Sequence, residues 1–263
     1  MDSLPNRRDA PDKFVARRDN ADDRIAEILK VIRPGSVLGT LAQQDLLTLL
    51  RQSTVRTLPR QRVLFRAGDA GRSVILVIHG YVKLSTTAAN GREMVLEIAG
   101  PGTIFGEIAV LSGSTRQADA TCLTACRVLA IDKATFHHVL ARTPEAMFAA
   151  IRLICERLSM TTARGIDIVS LPAPARLAKV LLHLVDLHAQ HREDGVQIDF
   201  RLSQRELGAM TGLIRESINK HLNAWRAAGW VALSGGAVTL LDMDALRAIV
   251  RDSETTGKTS TAE

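Results

Sequence analysis

Between about Val55 and Ile131 the chain is a succession of short β-forming runs separated by glycine-containing turns. Asn90-Gly91 between two such runs predicts a hairpin, because both residue types tolerate the positive φ angles that a type I′ turn requires. Many short strands joined by tight turns are typical of an antiparallel barrel or jelly roll, which we therefore expect here. The predicted strands are Val63–Phe65, Val74–Ile78, Tyr81–Ser85, Met94–Ile98, Ala118–Thr121 and Cys126–Ile131.

Helical periodicity is found on both sides of this region. Apolar residues recur at helical spacing from Ile25 to Leu50 and predict short helices. After the strands, Pro144 opens a longer helix that reaches Ser170. One heptad position of this helix holds Met147, Ile154, Thr161 and Ile168, and another holds Ile151, Leu158 and Gly165. Contact with a second copy of the helix and packing on the chain's own barrel explain this pattern equally well.

Composition limits the classes of protein that this chain can belong to. The 263 residues carry 34 basic and 28 acidic side chains, and the net charge of +6 is compatible with a polyanionic partner. Aromatic residues make up only 3%, which argues against stacking of single-stranded bases. No apolar run is long enough for a membrane span, so we expect no membrane partner. Three cysteines are too few for a disulfide framework, which fits the reducing cytoplasm.

The first motif that carries chemistry runs from Phe105 to Ala118 and reads FGEIAVLSGSTRQA. A glycine turn between a strand and a short helix frees backbone N–H groups that favour an anion. Arg116 adds a guanidinium suited to phosphate oxygens, whereas Glu107 would repel phosphate and can accept a hydrogen bond from a sugar hydroxyl. The combination suits a phosphate fused to a ribose. A surface Glu–Arg pair beside a β-turn is the alternative.

A second motif predicts a helix-turn-helix. Ser203 and Glu206 form a capping box, and Gly212 lies where the turn between two helices must be tight. We expect the second helix to bury Ile214, Ile218, Leu222 and Trp225 and to present Arg215, Glu216, Ser217, Asn219 and Lys220 outward. A recognition helix contacts the DNA major groove with its N-terminal end. Over Arg201–Arg226 five basic and two acidic residues give +3, which suits a phosphate-facing surface. Charge alone would favour a merely solvated helix face, but the turn glycine, the capping box and the following Ser-Gly-Gly wing together favour binding to double-stranded DNA.

Barrel, phosphate-binding segment, long helix and winged helix-turn-helix occur here in the order of the Crp–Fnr superfamily of bacterial transcription regulators. The sequence resembles this family from about Leu46 to Leu241, most closely its cyclic-AMP receptor protein branch. The resemblance implies a cytoplasmic homodimer joined by its long helices, with cAMP in each barrel as the allosteric effector (cGMP being the second choice) and no metal. It also implies palindromic DNA operators with TGTGA-like half-sites and contact with RNA polymerase.

At the matching positions, the resemblance implies two sets of binding residues. The cyclic nucleotide would be bound by Gly106, Glu107, Ile108, Arg116, Gln117, Thr161 and Thr162. The two threonines match helix positions that contact the adenine, one from each subunit. DNA would be bound by Arg215, Glu216, Ser217 and Lys220. Guanidinium recognition of guanine O6 and N7, and carboxylate recognition of cytosine N4, fit such half-sites.

We therefore expect an α+β fold with the following organisation. A disordered tail covers 1–24, a cyclic-nucleotide-binding β-barrel (jelly roll) covers 25–142, a dimerisation helix covers 143–170, a winged helix-turn-helix domain covers 171–252 and a second disordered tail covers 253–263. The first tail holds six basic and six acidic side chains and few apolar ones. Such a segment buries too little surface to offset the entropy of ordering.

Three positions depart from the family pattern. Gln117 replaces a serine on the phosphate, and the loop between Glu107 and Arg116 is one residue shorter than in the best-known member. Lys220 replaces an arginine and loses bidentate geometry. Gln117 leaves the preference between cAMP and cGMP open. The alternative is a barrel that binds no cyclic nucleotide, in a regulator that acts constitutively or responds to another small molecule. No cysteine precedes Cys122, so the iron–sulfur sensor of the Fnr branch is not expected.

Other candidate sites have simpler explanations. Cys122 and Cys126 lie four residues apart, but no further ligand follows at zinc spacing, so buried free thiols are the interpretation. His188 and His191 likewise lack partners for a metal. No Ser-His-Asp, paired-carboxylate or P-loop arrangement is present in the sequence, and we predict no catalysis and no enzyme.

Overall fold

The computed structural model describes residues 21–193 and 195–259. A barrel domain, a long helix and a C-terminal helical domain with a small sheet confirm the predicted α+β fold. The helices are α1 (Ala21–Val31), α2 (Gln43–Gln52), α3 (Glu107–Ser112), α4 (Lys133–Arg142), α5 (Pro144–Ser170), α6 (Ala173–His188), α7 (Gln204–Thr211), α8 (Arg215–Ala227) and α9 (Met243–Thr259). The strands are β1 (Thr54–Leu58), β2 (Val63–Phe65), β3 (Ser73–His79), β4 (Val82–Thr87), β5 (Glu93–Ala99), β6 (Ile104–Phe105), β7 (Asp119–Cys122), β8 (Cys126–Asp132), β9 (Ala189–Arg192), β10 (Gly195–Ile198), β11 (Val231–Ser234) and β12 (Ala237–Leu240). Among the described helices, none has the length and apolar character of a membrane span.

Helix α1 begins inside the segment 1–24 that the sequence predicted to be disordered, so that boundary is wrong. Asp22 and Asp23 lie in its first turn, where the helix dipole favours negative charge. Ile25 and Ile28 of α1 are buried in the core of the barrel domain. Their burial stabilises a segment whose charge pattern suggested disorder. Residues 1–20 of the predicted tail lie outside the described residues.

The barrel is built from two four-stranded antiparallel sheets. Their strand orders are β1-β8-β3-β6 and β2-β7-β4-β5. The sequence did not predict β1, which is mostly exposed, or β6, which has only two residues. Such strands lack the alternating apolar pattern that identifies a strand from the sequence.

The hairpin predicted at Asn90-Gly91 joins β4 to β5, but the turn is not of type I′. Gly91 has a φ of +77°, but Asn90 does not have a positive φ, because Gln61 is the one non-glycine residue with positive φ in the described chain. Five residues separate the two strands, and the Ala88 N–H donates to the Arg92 carbonyl at 2.9 Å. This longer loop needs a single left-handed residue, where a two-residue type I′ turn needs two.

Strand β3 divides the barrel domain into two cores because successive side chains of a strand face opposite sides. Ile75 and Val77 fill the barrel interior together with Phe105. Val74, Leu76 and Ile78 face the helical layer, where they pack with Ile28, Leu49 and Phe136. The barrel is thus closed on one side by α1, α2 and α4.

Helix α5 contacts its own barrel through small residues and leaves large apolar ones exposed. Its buried residues are Ala146, Ala149 and Ala150. Its exposed apolar side chains are Met147, Phe148, Ile151, Leu158, Ile166, Ile168 and Val169. Four of the seven residues at the predicted heptad positions are in this exposed set. Packing on the barrel therefore does not account for the heptad pattern.

The C-terminal domain combines the predicted helix-turn-helix with a sheet of order β11-β12-β10-β9. The hairpin of β9 and β10 was not predicted, because β9 is largely polar. Helix α9 runs to Thr259 and so enters the segment 253–263 that we predicted to be disordered. Leu246 anchors this helix by full burial, and each further residue of a nucleated helix adds a hydrogen bond. Residues 260–263 lie outside the described residues.

The two domains pack against each other through polar and aromatic contacts. Tyr81 at the start of β4 donates a hydrogen bond of 2.6 Å to the Asp199 carboxylate of the C-terminal domain. His188 Nε2 lies 3.0 Å from the Ile98 carbonyl oxygen, so the neutral imidazole carries its proton on Nε2. The Phe200 ring packs on Tyr81 with centroids 4.5 Å apart.

Candidate functional site

A cavity of about 260 Å³ lies where α3, the start of β7, β5 and α5 meet. Six of the seven residues predicted to bind the nucleotide line it: Gly106, Glu107, Ile108, Arg116, Gln117 and Thr161. Thr162 is exposed on α5 and is not part of the lining. The cavity is also lined by residues that the sequence did not single out, among them Phe65, Leu84, Leu96, Glu97, Arg157 and Met160.

Gly106 connects β6 to α3 and allows the cavity to form. Its φ of +82° lies in the left-handed region that favours glycine. A Cβ atom at this position would collide with Nη1 of Arg116. Both the backbone conformation and the close approach of the guanidinium therefore require glycine.

Arg116 is held rigidly by two backbone carbonyl groups. Its side chain is 5% exposed, and its guanidinium donates to the Gly106 carbonyl at 2.7 Å and to the Ser73 carbonyl at 2.6 Å. Its Cζ lies 4.1 Å from the centre of the Phe65 ring. Nε is buried and has no hydrogen-bond partner among the described residues. Burial lowers the pKa of Arg116, because removing the charged guanidinium from water costs free energy. An anion in the cavity would offset that cost.

Glu107 is the complementary group in the same cavity. It is 1% exposed and its Oε1 accepts a hydrogen bond from Nη1 of Arg157. Its Oε2 is buried without a hydrogen-bond partner in the described part of the chain. Because an unpaired buried acceptor is costly, a ligand that donates a hydrogen bond to this oxygen would be stabilised there.

Arg157 is a residue of the candidate site that sequence analysis missed. From α5 it donates to Glu97 Oε2 at 3.1 Å through Nε, to Glu107 through Nη1 and to the Ile104 carbonyl at 2.7 Å through Nη2. Burial opposes its charge, but Glu97 and Glu107 outweigh burial and raise the pKa of Arg157. The one sequence signal was its position four residues before Thr161, which places both on one face of the helix.

The helix-turn-helix has the local geometry that its sequence predicts. Ser203 Oγ accepts from the Glu206 N–H at 3.1 Å, and the Ser203 N–H donates to Glu206 Oε2 at 2.7 Å, which completes the capping box. Gly212 ends α7 with a φ of +72°. The wing turn holds Gly235 and Gly236, both at positive φ, between β11 and β12.

Helix α8 presents the predicted DNA-binding residues at its N-terminal end. Arg215, Glu216 and Lys220 are exposed, and Ser217 is half-buried. Arg215 Nε donates to Gln204 Oε1 at 3.0 Å, which orders the guanidinium. The buried face consists of Ile218, Leu222 and Trp225.

Ile214 was predicted for the buried face of this helix, but that prediction was wrong. Its side chain is 57% exposed. Ile214 is the N-cap residue and has extended backbone geometry, so it lies before the helical periodicity begins.

Comparison with known proteins gives the same division into two domains. The sequence matches the family described as "Cyclic nucleotide-binding domain" over residues 55–143 and the one described as "Crp-like helix-turn-helix domain" over residues 175–249. It is 30% identical over 188 residues to the "CRP-like cAMP-activated global transcriptional regulator" of Mycobacterium tuberculosis, covering 72% of this chain and 84% of that protein. It is 29% identical over 210 residues to the "Cyclic AMP receptor protein" of Thermus thermophilus, covering 80% of this chain and 94% of that protein.

A solved structure extends the likeness to the whole fold. The structure of CLP from Xanthomonas campestris, described as a c-di-GMP responsive global regulator, has a TM-score of 0.66 and 25% identity. The match covers 76% of this chain and 99% of that one. The chain thus belongs to the Crp–Fnr superfamily of transcription regulators, with a cyclic-nucleotide-binding domain followed by a Crp-like DNA-binding domain.

Proposed function

We propose that a cyclic nucleotide binds in the cavity between α3 and α5 and shifts a homodimer to its DNA-binding state. One observation carries the proposal: Arg116 and Glu107 line the same cavity, and each has a buried polar atom without a partner among the described residues, the donor Nε of Arg116 and the acceptor Oε2 of Glu107. A cyclic nucleotide holds an anionic phosphate beside a ribose 2′-hydroxyl, and so offers an acceptor and a donor at fixed separation. Both orphaned groups would gain a partner.

The names of the relatives support cAMP as the first effector to test. The M. tuberculosis and T. thermophilus proteins are named for cAMP. Thr161 lines the cavity from α5, and the exposed Thr162 is free to contact a base held by a second subunit. Gln117, which replaces the family's serine, also lines the cavity and keeps an amide near the phosphate.

The exposed face of α5 supports a homodimer. Met147, Ile151, Leu158 and Ile168 share a helical stripe and are exposed in a single chain. A second α5 packed along this stripe would remove these side chains from water, the dominant favourable term in association. The same contact would bring Thr161 and Thr162 of both subunits next to the two cavities.

The exposed end of α8 supports sequence-specific binding to double-stranded DNA. Arg215 has the geometry to donate to guanine O6 and N7, and Glu216 can accept from cytosine N4. Two such helices related by dimer symmetry would read a palindrome with TGTGA-like half-sites. We place this activity in the cytoplasm, and contact with RNA polymerase is part of the same proposal.

The route from effector to DNA follows α5. A ligand shifts a population only as far as it binds one state more tightly than the other. A ligand bound to Glu107 acts on α5 through Arg157, and the end of α5 is joined to α6 by a 2.7 Å ion pair between Asp167 and Lys179. Movement of α5 would therefore change how the DNA-binding domains are held.

The test is isothermal titration of the purified protein with cAMP and cGMP, followed by gel-shift titration on a TGTGA palindrome. We expect binding in the micromolar range or tighter and higher operator affinity in the presence of ligand. Binding to DNA without response to either nucleotide would favour the second candidate, the same fold with another effector or none. The description of the CLP structure as c-di-GMP responsive is the observation that supports that alternative.

A further inference from the structure

We propose that Glu97 reads the base of the bound nucleotide and admits guanine, so that cGMP binds at least as tightly as cAMP. This inference rests on the proposed cyclic-nucleotide function and specifies the ligand of the same cavity. Glu97 belongs to β5, opposite Leu84 on β4. It was not singled out by the sequence, because a glutamate in a strand has no local signal of a binding role.

The contacts of Arg157 place the two carboxylates, Glu107 and Glu97, relative to each other along the cavity. Its Nη1 bonds Glu107 and its Nε bonds Glu97, so the two carboxylates lie on different sides of one guanidinium. Arg116 and Glu107 take the phosphate and the ribose in the proposed function. The base then extends past Arg157 toward Glu97 and the α5 residue Thr161, both of which line the cavity.

Beyond the Arg157 guanidinium, Glu97 and Thr161 supply acceptors to this end of the cavity. Oε2 of Glu97 accepts from Arg157 at 3.1 Å, and the carboxylate has further lone pairs that can accept from a ligand. The Thr161 hydroxyl donates its only proton to the Arg157 carbonyl at 2.8 Å and so offers lone pairs to a ligand. Leu96 and Met160 complete the lining and contribute no strong donor.

An acceptor-rich lining distinguishes the two purines. Guanine presents N1–H and the 2-amino group side by side, and a carboxylate can accept from both. Adenine presents its 6-amino group beside the lone pair of N1, which a carboxylate repels. Hydrogen bonds to a charged acceptor are the stronger kind, and a site built around one discriminates against a base that lacks the matching donors.

Glu97 also changes the charge of the cavity, and this effect must be separated from base recognition. Two arginines and two glutamates line the site, so the negative charge of Glu97 opposes an anionic ligand of either kind. Loss of that charge alone would strengthen cAMP and cGMP binding by the same factor. Base recognition instead changes the ratio of the two dissociation constants.

The experiment is isothermal titration of the full-length wild type, Glu97→Gln and Glu93→Gln with cAMP and cGMP. Glu93 is a matched control, because it lies on the same strand and pairs with Lys83 but does not line the cavity. We expect wild type to bind cGMP at least as tightly as cAMP. Glu97→Gln should shift the ratio toward cAMP by about tenfold, a difference of about 1.4 kcal/mol, and Glu93→Gln should leave it unchanged.

A second probe needs no variant and covers the case in which Glu97→Gln does not fold. Cyclic IMP keeps N1–H but lacks the 2-amino group, so wild type should bind it several-fold more weakly than cGMP. A wild type that binds cAMP but not cGMP overturns this inference and leaves the proposed function intact. An unchanged ratio in Glu97→Gln, or equal affinity for cGMP and cyclic IMP, also overturns it. If neither cAMP nor cGMP binds, the proposed function itself fails.

Discussion

Nη1 of Arg157 and Oε1 of Glu107 form an ion pair that joins the long helix α5 to the first turn of α3. The Glu107 side chain is 1% exposed and that of Arg157 is 14% exposed, so each charge depends on the other for solvation. Glu107 lines the cavity, and its second carboxylate oxygen has no hydrogen-bond partner among the described residues. A ligand that donates a hydrogen bond to this oxygen contacts Glu107, and Glu107 in turn contacts α5 through Arg157.

Replacing Arg157 by Met should destabilise the protein. Breaking a buried ion pair leaves an uncompensated charge, here on both Glu107 and Glu97, and costs about 3–5 kcal/mol. Urea unfolding measures the change. The double variant Arg157→Met with Glu107→Gln should recover part of the loss, since one of the stranded charges is then removed. Equal stabilities of wild type and Arg157→Met would contradict the structure.

Replacing Arg116 by Leu should weaken binding of the cyclic nucleotide by at least about 30-fold, or about 2 kcal/mol, because a buried cation is lost from the phosphate site. Titration calorimetry gives the affinity, and the far-ultraviolet dichroism spectrum verifies the fold. Arg142→Leu is the control, since Arg142 is exposed at the end of α4. Undiminished affinity in Arg116→Leu would place the phosphate elsewhere.

Replacing Leu158 by Lys should dissociate the homodimer, because Leu158 is 66% exposed at the centre of the apolar stripe on α5. Sedimentation velocity measures the mass of wild type and variant over a range of concentrations. Glu156→Lys puts the same side chain two residues away, at a heptad position outside the stripe, and should remain dimeric. A dimeric Leu158→Lys would mean that another surface joins the subunits.

Replacing Arg215 by Ala should cost about 1–3 kcal/mol of operator binding and relax the preference at one guanine. Binding-site selection followed by gel shift measures both effects. Arg226→Ala removes an exposed arginine from the other end of α8 and is the control. It should weaken binding equally for all sequences or not at all. A uniform loss in Arg215→Ala would reduce its role to phosphate contact.

Stability should fall between pH 6.5 and pH 4 through His188. Burial lowers the pKa of His188 from 6.5 to about 4, while the unfolded chain keeps the ordinary value. In this interval the unfolded state binds more protons, so the free energy of unfolding decreases as the pH decreases. His188→Gln should have a smaller pH dependence in chemical unfolding. An identical slope in both proteins would assign the dependence to other groups.

How far the sequence predicted the site depended on the distance between interacting residues along the chain. Gly106, Glu107 and Arg116 lie within eleven residues of one another, and a glycine turn between a strand and a short helix is readable locally. Arg157 and Glu97 belong to a helix and a strand that meet only in the fold. Neither had a sequence pattern that distinguished it from other charged residues.

Local sequence patterns were enough to predict the barrel, the long helix, the helix-turn-helix and most of the residues that line the candidate cavity, because turn glycines, capping residues and apolar periodicity act between near neighbours. The predictions that Ile214 is buried and that the chain is disordered from residue 253 onward were wrong, because the ends of α8 and α9 depend on capping and packing. Which charges share the cavity, and which apolar face of α5 stays exposed, became known from the packing of the folded chain. Both features depend on how separate helices and strands pack. Side chains that meet from distant segments produce no periodic pattern in the sequence.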